Sequence, residues 1–162
     1  MAKEIERKFL VVNDSFMNLA KSYRHIRQTY LSTDPKATVR LRIIDDEARL
    51  TIKGRNQGAI RDEWEYTIPI ADAEEMASRL TDGFSIDKTR YIVEFDGWTW
   101  EIDVFHGKHA GLIVAEIEMP SADCNPPLPD FIGVEVTNDS RYFNSMLSLN
   151  PGIPDRTYSN LQ

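Results

Sequence analysis

Cysteine is almost missing from this chain: Cys124 stands alone among 162 residues. One thiol forms no internal disulfide and no multi-cysteine zinc site. The expectation that follows is a reducing compartment, the cytoplasm. A basic excess is missing too. Lysine and arginine number 19 against 26 aspartates and glutamates, a formal net charge of −7. A general nucleic-acid binder carries the opposite balance, although a small basic pocket stays open. No apolar run approaches the ~18 residues of a membrane span. The first residues, MAKEIERKFLVV, lack the uncharged stretch of a secretory signal, because Glu4, Glu6, Arg7 and Lys8 interrupt it. Histidine is sparse, and His25, His106 and His109 show no metal-ligand spacing. Cys124 has no histidine or acid arranged to make it a nucleophile. Repeats, low-complexity tracts and linkers are also lacking. The length therefore favours one domain over residues 1–162.

What is there is mostly strand. Alternating runs cover Glu4–Val12, Arg24–Leu31, Thr38–Ile44, Ala48–Gly54, Arg61–Ile70, Ile86–Asp96, Trp98–Phe105 and Leu112–Met119, with a shorter one at Ile132–Thr137. Asp45-Asp46, Asn56-Gln57-Gly58 and Asp96-Gly97 supply turns between them, the last a two-residue hairpin signal. Helices are predicted over Asp72–Leu80, from Asp139 or Ser140 to about Leu149, and over a short piece from Asp14 to about Lys21. Many short antiparallel strands and few helices imply a sheet-dominated α+β fold. Such a sheet removes its exposed edges by closing into a barrel.

Residues two apart on a strand share a face. Reading by parity puts Glu4, Glu6 and Lys8 together, then Arg40 with Arg42, Lys53 alone, and Glu63 with Glu65. It continues with Lys88 and Arg90, Glu101 and Asp103, and Glu116 and Glu118. The opposite faces carry Ile5 and Phe9, Leu41, Trp64 and Tyr66, Tyr91, Trp100 and Ile102, and Ile117. A solvated sheet face would explain charge as such. It does not explain like-signed pairs on one strand, which repel, nor the scarcity of threonine, serine and glutamine among them. If this face turns inward, its charges need counterions or a ligand, since unpaired buried charge is costly. A polyphosphate suits the cations, through arginine forks and lysine ammonium groups. Its Mg²⁺ or Mn²⁺ partners suit the carboxylates.

The stretch Glu4-Ile5-Glu6-Arg7-Lys8 resembles the ExExK signature of the CYTH superfamily, the triphosphate tunnel metalloenzymes. The likeness extends through Val39–Ile43, Leu50–Gly54, Glu63–Tyr66, Lys88–Tyr91, Trp100–Phe105, Ala115–Glu118, Gly133–Thr137 and Arg141–Asn144, in the manner of the short bacterial members. The resemblance implies an eight-stranded antiparallel closed barrel with a charged interior and a few external helices. It implies metal-dependent hydrolysis of a triphosphate, foremost inorganic tripolyphosphate, with Mg²⁺ or Mn²⁺. A class IV-like adenylate cyclase, a thiamine-triphosphatase and a non-catalytic polyphosphate-binding domain stand as alternatives. An RNA triphosphatase fits the acidic charge poorly. Carried over residue by residue, Lys8, Arg40, Arg42, Lys53, Lys88 and Arg90 resemble the substrate-binding and catalytic cations. Glu4, Glu6, Glu116 and Glu118 resemble metal ligands, with Asp103 as an addition. Glu63, Glu65 and Glu101 are lumen acids whose role is left open. The implied partner is a small-molecule triphosphate, with no nucleic acid and no membrane. Arg55 and Arg61 are divided between rim and surface. Tyr30 is assigned to packing, and Trp64 and Tyr66 to the underside of the Asp72–Leu80 helix.

Overall fold

The structure, a computed structural model, describes residues 2–81 and 83–154. In chain order the strands are β1 (Ala2–Val11), β2 (Ala20–Ser32), β3 (Thr38–Ile44), β4 (Glu47–Lys53), β5 (Ile60–Ile68), β6 (Ile86–Phe95), β7 (Trp98–Phe105), β8 (Ile113–Glu118) and β9 (Ile132–Glu135). Three α-helices accompany them: α1 (Phe16–Leu19), α2 (Ile70–Arg79) and α3 (Asn144–Leu147).

The strands run β5-β4-β3-β2-β6-β7-β8-β1, all antiparallel, and β1 returns to pair with β5. Eight strands thus close a ring, which removes the free edges that so many short strands would expose. The closure depends on β1 being long. Its first half pairs with β5, from Ala2↔Glu63 to Ile5↔Ile60. Its second half, once β5 has ended, takes β9 on the same edge, through Phe9↔Glu135 and Val11↔Ile132. The opposite edge holds β8 from Glu6↔Glu118 to Leu10↔Val114.

Turn chemistry decides several junctions as the sequence predicts. Asp96 and Gly97 both take positive φ, at 51° and 81°, the conformation a tight β6–β7 hairpin requires. Asp45 does the same between β3 and β4, at φ 55°. Other boundaries differ. Strand β5 stops at Ile68 and not Ile70, because Pro69 interrupts it and caps α2. Strand β2 begins four residues early, at Ala20, which shortens α1 to a single turn. The long C-terminal helix expected up to Leu149 is instead a 3₁₀ turn, Ser140–Tyr142, and the four-residue α3. Extended backbone at Phe143 separates them.

Two apolar clusters hold the barrel. The first lies outside the wall, on the parity opposite the charges: Phe9, Val93, Trp100, Ile102, Ala115 and Ile117, covered by Phe16 of α1 and by Phe131. Phe9 meets Trp100 edge to face at 5.6 Å, and Phe16 meets Phe131 at 5.9 Å. The second cluster is on the inward parity at one end of the barrel. Leu10, Ile86, Phe105 and Val114 pack there against Val136, Tyr142 and Leu147 of the C-terminal segment. That segment caps this end. Helix α2 packs across β2, β3 and β4, not over β5. Tyr66 is therefore 56% exposed, and Trp64 only half-buried, against the expectation for both. Among the described residues, no helix is long and apolar enough to cross a membrane.

Candidate active site in the barrel lumen

Directly paired residues on neighbouring antiparallel strands share a face. Tyr30↔Arg40↔Thr51↔Glu65 forms one row around the wall, and Gln28↔Arg42↔Arg49 the next. Arg24↔Arg90↔Asp103 and Glu101↔Glu116 continue the same face, and Lys8↔Glu116 and Glu6↔Glu118 close it. All the charges that parity grouped together therefore point inward. One cavity is lined by Glu4, Glu6, Lys8, Arg40, Arg42, Lys53, Lys88 and Glu116. A second opening is bordered by Arg24, Arg42, Arg49, Arg90 and Glu101. Arg42 belongs to both.

The cations are held mostly by acids of the same wall. Lys53 Nζ lies 2.9 and 3.0 Å from the two Glu4 oxygens and 3.3 Å from Glu63. Arg90 forks onto Asp103, at 2.7 and 2.9 Å, and reaches Glu101 at 3.0 Å. Lys88, 1% exposed, donates to Asp103 at 2.8 Å. Arg40 donates to Thr51 at 3.2 Å and faces Glu65 at 3.6 Å, while its buried Nε has no partner among the described residues. Lys8 donates to the Tyr142 carbonyl at 3.2 Å and stands 3.8 Å from Glu116. Arg42 donates to Gln28 at 3.0 Å.

Burial and crowding shift these groups. Burial lowers Arg42 to about 9, and the neighbouring Arg40 and Arg90 add to it. Burial lowers Lys88 to about 7, although Asp103 pulls the other way. For Asp103 burial acts upward, but Arg90 and Lys88 outweigh it and hold the carboxylate well below its ordinary range. For Glu116 burial is likewise overcome, by Lys8 and Arg90, to about 2. The acids at the other side behave differently. Burial, then the charges of Glu116 and Glu4, raise Glu6 well above the usual carboxylate range. Burial and a hydrogen bond with Glu4 push Glu63 up to about 7. Burial, then Glu4 and Glu101, raise Glu118.

Whether a divalent cation fits is tested by the chemistry of this donor set. Glu4, Glu6 and Glu116 face the same cavity as hard oxygen donors, and burial, with Glu4 adding to it, holds Glu6 and the neighbouring Glu63 above the usual carboxylate range. Among the described residues, no three carboxylates yet converge as a finished site, because Lys53 occupies Glu4 and Lys8 leans on Glu116. The donor set fits Mg²⁺ or Mn²⁺ in kind. Asp103 is the exception. Expected among the ligands, it has both oxygens committed to Arg90 and Lys88 and acts as their counterion. Glu118 sits exposed at the rim, opposite Glu6.

Several lumen residues escape a sequence reading. Tyr30 lines the cavity, contrary to its assignment to packing. It pairs with Arg40 in the same register as Gln28 with Arg42, and β2 shifts register only after it. Gln28, Thr38 and Thr51 are inward and buried, so neutral polar groups are less scarce there than parity suggested. Arg61 is a lumen residue, donating to the Gly54 carbonyl at 2.7 Å and to Thr38, whereas Arg55 is exposed. Thr137, Phe143, Asn144 and Ser145 of the C-terminal segment reach the same cavity. No strand alternation marks them, since they arrive from outside the barrel.

Comparison with known proteins agrees with this geometry. The chain is 45% identical over 151 residues to an inorganic triphosphatase of Acetivibrio thermocellus, covering 93% of this chain and 96% of that one. It is 37% identical over 150 residues to an inorganic triphosphatase of Nitrosomonas europaea, covering 90% and 97%. A crystal structure of an inorganic triphosphatase superposes with a TM-score of 0.65 at 35% identity, covering 96% of this chain and 99% of that one. The family model of the CYTH domain matches residues 2–148, which takes in all nine strands and the capping segment. A charged lumen inside a closed antiparallel ring is what those residues build, and the chain belongs to the CYTH domain family.

Proposed function

We propose that this protein is a divalent-metal-dependent triphosphatase acting on inorganic tripolyphosphate. The observation that carries the reading is the division of one cavity into a cationic wall, Arg40, Arg42, Lys53 and Lys88, and an acidic wall, Glu4, Glu6 and Glu116. The relatives named as inorganic triphosphatases, matched over nearly their whole length, support the same substrate. A linear triphosphate has several anionic oxygens and no base or sugar to recognise, so guanidinium and ammonium groups suffice to hold it.

Each group has a task in that reaction. Arg40 lines the cavity and has a buried Nε–H with no partner among the described residues, which a phosphate oxygen would satisfy. Arg42 and Lys88 bind the chain from β3 and β6. Lys53 of the cationic wall and Lys8 each meet an acid of the other wall, Glu4 and Glu116, and bridge substrate to acids. Arg90 acts from behind, shared with Asp103 and Glu101. These donors are fixed before substrate arrives, so they stabilise charge on the phosphoryl oxygens in the transition state with little rearrangement. Glu4, Glu6 and Glu116 would hold Mg²⁺ or Mn²⁺, with Glu63 and Glu118 at their edge. The bound cation supplies charge neutralisation and an acidified water. We place the reaction in the cytoplasm, a reading supported by the lone Cys124.

The experiment is a phosphate-release screen of tripolyphosphate, pyrophosphate, ATP and thiamine triphosphate with Mg²⁺ and with Mn²⁺. Tripolyphosphate should be the best substrate, and chelator should abolish turnover. Cyclic AMP as the main product from ATP, or tight tripolyphosphate binding with no turnover under either metal, would replace the reading.

A further inference from the structure

Two of the phosphate-binding cations are aimed by residues of neither strand that carries them. Lys88 has three N–H groups. One goes to Asp103, and a second goes to Asn144 Oδ1 at 2.9 Å, on the short α3 of the capping segment. The same Oδ1 accepts from Gln28 Nε2 at 2.8 Å, and Gln28 Oε1 accepts from Arg42 Nε at 3.0 Å. The result is a continuous relay, Arg42–Gln28–Asn144–Lys88, running from β3 through β2 and the cap to β6.

The chemistry at its ends sets every orientation within it. Lysine and arginine side chains only donate, so Asn144 must turn its oxygen to Lys88 and Gln28 its oxygen to Arg42. The Gln28 amide nitrogen then donates to the remaining lone pair of Asn144 Oδ1. Gln28 is 1% exposed. An amide buried that deeply is unfavourable unless its groups are satisfied, and here Arg42 satisfies its oxygen and Asn144, which also holds Lys88, its nitrogen. With Nε committed to Gln28, the terminal guanidinium nitrogens of Arg42 remain for the cavity.

We infer that Gln28 and Asn144 are positioning residues, which hold Arg42 and Lys88 at one fixed spacing for the transferred phosphoryl group. The inference rests on the triphosphatase reading above. It also gives the cap a role in the chemistry: it delivers an acceptor into the lumen as well as filling the barrel end with Tyr142 and Leu147.

The test uses the purified full chain with tripolyphosphate and Mg²⁺. Asn144→Leu removes the shared acceptor, and Gln28→Leu removes the link to Arg42. A charge-bearing hydrogen bond lost at a donor that must be aimed is expected to lower kcat by about tenfold to a hundredfold. The double variant should lose no more than the worse single one, since both break one relay. Asn144→Asp keeps the acceptor while adding a charge that repels substrate. Its KM should rise, with kcat within about threefold of wild type. Asn150→Ala cuts a cap hydrogen bond to the Met146 carbonyl and touches no cation, so its kcat and KM should match wild type. Melting of each variant, read without substrate, identifies any that fails to fold. Wild-type kcat in folded Gln28→Leu or Asn144→Leu overturns the proposal. So does an Asn144→Asp kcat as low as that of Asn144→Leu, or an equal loss in Asn150→Ala. A wild-type protein that releases no phosphate overturns the triphosphatase reading itself, and this proposal with it.

Discussion

Asp103→Asn separates a buried counterion from a metal ligand. The carboxylate is 1% exposed at its side chain and neutralises two cations, Lys88 at 2.8 Å and Arg90 through a fork at 2.7 and 2.9 Å. Asparagine offers one acceptor where two are needed, and turns a donor toward a cation. Removing one partner of a buried ion pair costs about 3–5 kcal/mol, because the remaining charge is left uncompensated. With two cations on one acid, the upper half of that range applies. The assay is urea denaturation of the metal-free protein at pH 7, with and without tripolyphosphate. The substrate brings the missing negative charge, so it should restore part of the loss; at 100 times Kd, binding to the native state contributes about 2.7 kcal/mol. A metal ligand would behave otherwise. Its neutralisation would leave metal-free stability unchanged and raise the Mg²⁺ concentration needed for activity. A loss below about 1 kcal/mol in the metal-free protein would refute the counterion argument.

Three further outcomes follow from the same wall. Glu6, Glu63 and Glu118 are raised in the folded protein, so it binds more protons than the unfolded chain between their ordinary pKa of 4.5 and about 7. Stability of the metal-free protein should therefore fall as pH rises through that window, and saturating Mg²⁺ should remove the fall; a pH series of denaturation midpoints checks both. The Glu63→Gln, Glu65→Gln double variant should change rate or metal dependence while folding normally. Wild-type kinetics there would mean that the inward face of β5 takes no part. Trp100→Ala should cost about 3–5 kcal/mol with kcat intact, since the ring is fully buried outside the lumen, whereas Trp64→Ala should cost clearly less.

The parity of the strands was legible because each charged position has a period of two, and closing the ring turns one whole face inward. Lys53 and Glu4 lie far apart in the chain, yet alternation alone placed both on the same side of the wall. Tyr30 obeys the same period, since it pairs with Arg40 in register with Gln28↔Arg42, and β2 becomes irregular only after it. The period says nothing of what covers the outer face: Pro69 ends β5 and opens α2, which packs across β2, β3 and β4. Asn144 was beyond reach for another reason. Its place in the lumen comes from packing of Tyr142 and Leu147 against the barrel end, a tertiary contact with no local pattern to announce it. The pairing of Asp103 with Lys88 and Arg90 was equally hidden, because a carboxylate beside two cations and a carboxylate awaiting a metal look alike until the distances are known.

The central claim is that the two walls of this cavity act together on a triphosphate. It is tested most directly by Mg²⁺-dependent phosphate release from tripolyphosphate, measured side by side for wild type, Arg40→Ala and Glu116→Ala. Wild type should release phosphate only with the divalent cation. Arg40→Ala should lose most of that rate at every Mg²⁺ concentration, because the guanidinium meets the substrate. Glu116→Ala should lose it most severely at limiting Mg²⁺. Release without any divalent cation, or a wild-type rate in either variant, would contradict the account.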